Sequence, residues 1–317
     1  MAQKRYVSFF INLAIGLMIF AIIIWKIGPS RIAVNFMSFE IAYVIFIFII
    51  YPVTYIIAAI GVVFLGRSIS RNVNWLGGIK GFLATVSLSI IAPGRLGDFS
   101  LPFYWKDFLS YGESLSVLTM DKIITLVWTF GLGSCAVYAI LSRPLGITIG
   151  VGSLSALSAA LLLLSIRRFR SIIYKILSKR ILNFFQGFIN AFKTILKKGK
   201  GSILITFSIT GLRFSLSGII FLILLLGLDV RCPFYYPIVI LALGQVLSIL
   251  PISIMGMGTA ELVYIFAFNK INIDADAVIA VSLLGRIITL FWLGSFFTLF
   301  ALRPTFSSPI ENTESPD

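Results

Sequence analysis

Most of this chain consists of apolar runs long enough to cross a bilayer. The runs 7–27, 41–65, 114–141, 146–166, 202–228 and 277–302 are each at least 21 residues long. About 20 helical residues, rising 1.5 Å each, cover the ~30 Å hydrocarbon layer. Hydrocarbon offers the backbone no water to bond with, so spanning segments must satisfy their own N–H and C=O groups. The expected class is therefore an all-α integral membrane protein. The composition agrees: 59% of the 317 residues are hydrophobic and 12% are charged, against roughly 25% charged in soluble domains.

Two further apolar runs are too short to span, and each ends in a break of the same kind. Residues 81–92 lead from Ser89 into Pro93-Gly94-Arg95-Leu96-Gly97-Asp98. Residues 237–250 lead through Ser248 and Pro251 into Gly256-Met-Gly258-Thr259-Ala260-Glu261. Proline ends a helix and disfavours helical geometry in the residue before it. Glycine then permits the turn and close backbone approach. Such segments read as re-entrant half-helices. A pair of them at corresponding places in two halves points to a transporter's binding site.

The positive-inside rule orients these segments. Lys4 and Arg5 precede the first run, and Arg67, Arg71 and Lys80 follow the second. The expected architecture is six full transmembrane helices plus two re-entrant broken helices. The N- and C-termini are cytoplasmic, and the first broken segment enters from inside, the second from outside. This is an inverted-topology repeat within a single polytopic domain, residues 1–303. Repeat A covers about 5–143 and repeat B about 144–303. Residues 304–317 read as a disordered tail.

The net charge of +14 does not point to nucleic acid. Ten of the 26 basic residues lie in 167–200, with no acid among them. Apolar residues in that stretch recur with helical spacing, which describes basic amphipathic helices. The segment is expected to face anionic inner-leaflet lipids, to dock on the protein's own cytoplasmic surface, or both. There is no histidine, which excludes His-based zinc sites and Ser-His-Asp triads. Two cysteines, Cys135 and Cys232, give neither a disulfide framework nor a metal spacing. No metal site, P-loop or cofactor is expected.

Six charged residues in or beside the apolar zones stand out: Arg95, Asp98, Lys122, Arg213, Glu261 and Arg286. Buried charges pair with one another or face a cavity. Asp98 precedes Lys122 by 24 residues and Glu261 precedes Arg286 by 25, so each break supplies an acid to a cation in the next span. These pairs either lock the broken segments or bind substrate. Arg213 has no partner evident from sequence and is the leading candidate for an anionic ligand group. Asp98 and Glu261 are expected in the first turn of a new half-helix, where the helix dipole favours them.

The chain resembles the flippase-like transmembrane domain family of lysylphosphatidylglycerol synthases. The matching pieces are Pro93 through Asp98, Asp121-Lys122-Ile123, Pro251 through Gly256-x-Gly258-Thr259-x-Glu261, and Arg286-Ile287. Ala260 and Lys122 depart from it, since arginine is frequent in the family at both places. The synthases also carry a soluble catalytic domain, of which nothing is seen through Asp317, so aminoacyl transfer is not expected here. The resemblance implies movement or exposure of an anionic, aminoacyl or glycosyl lipid across the cell membrane. Its partners would be a membrane phospholipid or lipid-linked sugar, with a separate synthase or glycosyltransferase alongside. Two alternatives remain. One is a membrane scaffold for such an enzyme. The other is an enzyme on a lipid-linked substrate, with Asp98 or Glu261 as base.

Overall fold

In the computed structural model, the described residues are 18–19, 21–91, 93–165, 179–249 and 256–302. For 90, 91, 93–96, 157, 159–165, 179–186, 247 and 249, only the backbone is described. Every regular element among the described residues is helical. Helical residues 21–27 lead to α1 (Pro29–Met37), followed by α2 (Ile41–Ile69) and α3 (Trp75–Ile91). A 3-10 segment, Pro93–Ser100, leads into α4 (Leu101–Tyr104) and then α5 (Tyr111–Ile140). The second half holds α6 (Arg143–Ser165), α7 (Lys179–Lys198) and α8 (Lys200–Leu226). It ends with α9 (Tyr235–Ile249), α10 (Thr259–Asn269) and α11 (Ala275–Phe296), which runs into a π turn, Phe297–Ala301.

Four helices among the described residues are long and apolar enough to cross a membrane: α2, α5, α8, and α11 with its π turn. At 23 residues α6 also has the length. The run 7–27 falls largely outside the described residues, as do 166–178 of the basic stretch, Pro251 and the tail.

Three boundaries differ from the sequence reading, each for a local reason. The first broken helix begins at Trp75 rather than Gly81. Asn74 Oδ1 accepts from the N–H of Gly77 at 2.5 Å, as a helix cap does. The glycines of this stretch serve packing: a Cβ at Gly81 would lie 2.7 Å from the ring of Trp105. Arg143 and Pro144, between the runs 114–141 and 146–166, belong to the first turn of α6. Proline is accommodated there because its missing N–H is not needed. The helix α1 was not anticipated; Pro29 opens it after Gly28 at φ 102.

Two apolar cores flank the middle of the molecule. The first joins the C-terminal part of α2 (Val62, Leu65) to Trp105 and to Val117 and Ile124 of α5. The second joins the opposite ends: Ile47 of α2, Ala136 of α5, Leu224 of α8, Tyr236 of α9, Phe268 of α10 and Val278 of α11. The start of α3 and the residues after α4 both belong to the first core. The start of α9 and the end of α10 both belong to the second.

Packing between the halves is reciprocal. α2 lies along α8, α5 packs on α9, and α11 packs on α3. Pro52 supplies a specific link. It cannot donate to the carbonyl of Phe48, and Trp292 Nε1 on α11 donates to that carbonyl at 2.9 Å. Where it is described, the basic stretch docks on the protein. Ala191 and Ile195 of α7 are buried, and Ser116 Oγ of α5 donates to the carbonyl of Phe188 at 2.7 Å. Lys193, Lys197 and Lys198 face outward.

Candidate functional site

Both breaks share one feature, a glycine eight residues after a serine and packed against it. At Gly97 a Cβ would collide with the backbone of Leu88 and Ser89. At Gly256 it would collide with the side chain of Ser248. Gly256 and Gly258 have φ of 69° and 81°, the left-handed region that glycine occupies at least cost. Pro93, Gly94 and Arg95 lie in the 3-10 segment by backbone alone, and Pro251 is outside the described residues.

At the second break Glu261 is the third residue of α10 and is fully buried. The N–H of Gly258 donates to Oε2 at 2.7 Å, closing a cap at the helix start. Ser282 Oγ donates to Oε1 at 2.9 Å. Arg286 Nε and Nη2 each lie 2.6 Å from Oε1. Nη2 also reaches the carbonyl of Gly256 at 3.5 Å. Thr259 Oγ1 donates to that same carbonyl at 3.2 Å. A carboxylate taken from water needs such company, because its desolvation costs several kcal/mol.

At the first break the sequence expectation for Asp98 needs correction. It sits inside the 3-10 segment, not in the first turn of an α-helix. A 3-10 run has fewer free N–H groups to offer, so side chains hold it instead. Ser89 Oγ donates to Oδ1 at 2.5 Å, and Lys122 Nζ lies 2.7 Å from Oδ2. Asp121 also approaches Lys122 Nζ, at 3.8 Å. Both acid–cation pairs expected from their spacing are therefore formed.

The two breaks meet at a cavity of about 400 Å³ between the cores. Asp98, Asp121, Lys122, Arg213 and Arg286 line it. Arg213, in the middle of α8, donates from Nη2 to Thr125 Oγ1 at 3.3 Å. Its guanidinium carbon lies 5.8 Å from the ring of Phe214. Thr125 is on α5, less than one turn beyond Lys122, so the contact joins Arg213 to the first ion pair. Tyr51 and Tyr55 of α2, Gln245 of α9 and Tyr264 of α10 complete a mixed aromatic and polar wall. Tyr51 hydrogen-bonds Thr289 of α11. Among the described residues no group of three or more Cys, Asp and Glu is placed to hold a metal.

Sequence reasoning missed several of these residues. Asp121 projects about 100° around a helix from Lys122, so its place beside that lysine in sequence gave no reason to pair them. The bend of the lysine side chain brings its ammonium back between both acids. Ser217 and Ser282 each lie one turn from an arginine, Arg213 and Arg286. A polar residue four positions from a buried cation was the signal that could have found them.

Comparison with known proteins places this geometry in a family. A family model for the lysylphosphatidylglycerol synthase TM region matches residues 9–297. No curated protein and no solved structure matches the chain.

Proposed function

The chain belongs to the lysylphosphatidylglycerol synthase transmembrane-region family, and from that premise we propose that it is a flippase-like transporter that moves or exposes an anionic, aminoacyl or glycosyl lipid across the cell membrane. One observation carries this reading: the mid-depth cavity where both broken segments meet, with two arginines and a lysine on its wall. A lipid headgroup is polar and cannot cross hydrocarbon unaided, and this cavity offers it charge and hydrogen bonds at mid-depth. The headgroup phosphate engages Arg213 and Lys122, while Arg286 holds the second break. The acyl tails remain in the bilayer. No bond is made or broken.

The topology in this reading has six spans, two re-entrant segments and an inverted repeat. Support comes from the reciprocal packing of α5 on α9 and α11 on α3. Further support comes from broken segments whose flanking residues belong to opposite cores. Alternating access is then a rocking of one repeat against the other around the cavity. Arg67 and Lys106 adjoin residues of the first core in sequence, and Lys193, Lys197 and Lys198 lie on α7, whose Ile195 belongs to that core. The end of the molecule that holds this core faces the cytoplasm, with both termini, by the positive-inside rule. The outward lysines of α7 meet anionic inner-leaflet lipids there.

Reconstitution tests the reading. Wild-type protein in liposomes is expected to speed leaflet exchange of a fluorescent, dithionite-reducible phosphatidylglycerol analogue. Arg213→Ala is expected to lower the rate by about tenfold, the worth of one hydrogen bond to a charged group. Exchange by wild type no faster than in protein-free liposomes overturns it. Equal rates for wild type and Arg213→Ala remove Arg213 from the site.

A further inference from the structure

The cavity wall carries two neutral polar groups that make no hydrogen bond within the protein. Leu241, Gln245 and Ser248 of α9 lie four and three residues apart, so they share one helical face, and all three line the cavity. Tyr264 of α10 lines it as well. A Cβ at Gly244 would lie 2.7 Å from the phenol oxygen of Tyr264, so that phenol rests against α9 at the residue preceding Gln245. Among the described residues, neither the Gln245 amide nor the Tyr264 hydroxyl makes a hydrogen bond. Nearby serines differ. Ser248 Oγ donates to the carbonyl of Gly244, and Ser217 Oγ to that of Arg213, each at 2.9 Å. A polar group withdrawn from water and left unpaired costs free energy, so whatever fills the cavity must satisfy these two. The amide offers two N–H donors and a carbonyl acceptor, and the phenol one donor and one acceptor. Hydroxyls match both, since each hydroxyl donates and accepts. An amine fits less well, because it wants a carboxylate and those at the cavity already have cations. Asp98 and Asp121 lie 2.7 and 3.8 Å from Lys122, and Glu261 lies 2.6 Å from Arg286.

We propose that Gln245 and Tyr264 recognise the hydroxyls of a polyol headgroup, glycerol or a sugar ring, on the lipid that the cavity takes up. The inference deepens the transporter reading and rests on it for the entry of a headgroup. Arg213 and Lys122 meet the phosphate, which every anionic phospholipid has, so they do not tell one headgroup from another. Gln245 and Tyr264 read what lies beyond the phosphate. A site built to hydrogen-bond a hydroxyl rejects the analogue that lacks it, because its own polar groups are then left unpaired. The volume of about 400 Å³ is in the range of pockets that enclose a small ligand.

The test is lipid binding by the purified, detergent-solubilised chain, followed by calorimetry with short-chain lipids. Phosphatidylpropanol keeps the charge and length of phosphatidylglycerol but lacks its free hydroxyls, and phosphatidylinositol presents a ring polyol. Wild type is expected to bind at least one of the polyol lipids about tenfold more tightly than phosphatidylpropanol, the worth of one or two hydrogen bonds. The tighter of the polyol lipids names the headgroup as glycerol or ring. Gln245→Met keeps the length of the side chain without its hydrogen bonds. It is expected to lose that preference, with the loss falling on the polyol lipids more than on phosphatidylpropanol, whereas a merely structural role would weaken every lipid alike. Tyr264→Phe removes one oxygen, is expected to act in the same direction, and serves if Gln245→Met does not fold. Equal wild-type affinities for all these lipids, no lipid binding, or an undiminished preference in the folded variants overturns the inference. So does tighter binding of lysyl-phosphatidylglycerol than of phosphatidylglycerol, which would assign the site to amines. Failure here is distinguishable from failure of the transporter reading. Hydroxyl-selective binding without leaflet exchange in liposomes sinks only transport. Leaflet exchange at equal rates for phosphatidylpropanol and the polyol lipids sinks only hydroxyl recognition.

Discussion

At the second break the carboxylate of Glu261 is wholly enclosed and receives donors from Gly258, Ser282 and Arg286. At the first break Asp98 shares a half-exposed lysine with a second carboxylate and faces the cavity. The two breaks use the same residue types in the same order, and their pairs are spaced almost equally. What differs is solvent access: Glu261 is fully buried, whereas the side chain of Lys122 is 40% exposed. A buried pair resists rearrangement, because opening it strands a charge in a dry interior. A half-exposed lysine beside a cavity can exchange partners at smaller cost. On the proposed reading, the second break is therefore the fixed side of the site and the first is the side that responds to ligand.

Mutations at the second pair give the largest expected effect. Arg286→Ala leaves the fully buried Glu261 without its cation, a loss of about 3–5 kcal/mol, and Glu261→Ala, which leaves Arg286 at the cavity wall, should cost somewhat less. Thermal unfolding in detergent should fall sharply for both, with little folded protein recovered. A small change in either would mean that the second pair is not a lock.

The next effect separates the two glycines. Gly97→Ala and Gly256→Ala should each destabilise by about 1–3 kcal/mol through overpacking. At Gly256 the obstruction is the Ser248 side chain, so adding Ser248→Gly should recover part of the loss. The remainder reflects the positive φ of 69°. At Gly97 the obstruction is main chain, so adding Ser89→Gly should recover nothing. Equal rescue in both double variants breaks the distinction between them.

Lys122→Met should have the smallest effect on stability of the three, because Lys122 is 40% exposed and the two carboxylates it leaves border the cavity rather than a closed interior. Its effect on leaflet exchange should be much greater than its effect on unfolding temperature. Lys122→Arg should restore exchange, because arginine also binds phosphate well. If Lys122→Met instead unfolds the protein as Glu261→Ala does, the two breaks are equivalent locks.

Much of the fold was legible because the membrane leaves few options. Long apolar runs placed α2, α5, α8 and α11 to within a few residues. The spacing of Asp98 to Lys122 and of Glu261 to Arg286 identified both ion pairs. The start of α3 was missed: Gly77 and Gly78 precede the apolar run 81–92 yet lie inside the helix, against Phe108 and Val63. The helical spacing of 167–200 could not choose between a membrane face and a protein face. The buried Ile195 and the bond from Ser116 to Phe188 show that α7 docks on the protein.

The sequence by itself determined that the chain is helical, that it belongs to a membrane, where it breaks, and which acid answers which cation. These follow from desolvation, which acts on each segment and each charge wherever it sits. Only the tertiary structure decided that Arg213 meets Thr125 across 88 residues and that Asp121 faces the same cavity as Asp98. It also made one pair closed and the other open. Those outcomes depend on how α5, α8 and α9 pack together, and packing is set by the shapes of whole helix faces, for which no local residue pattern is a sufficient guide.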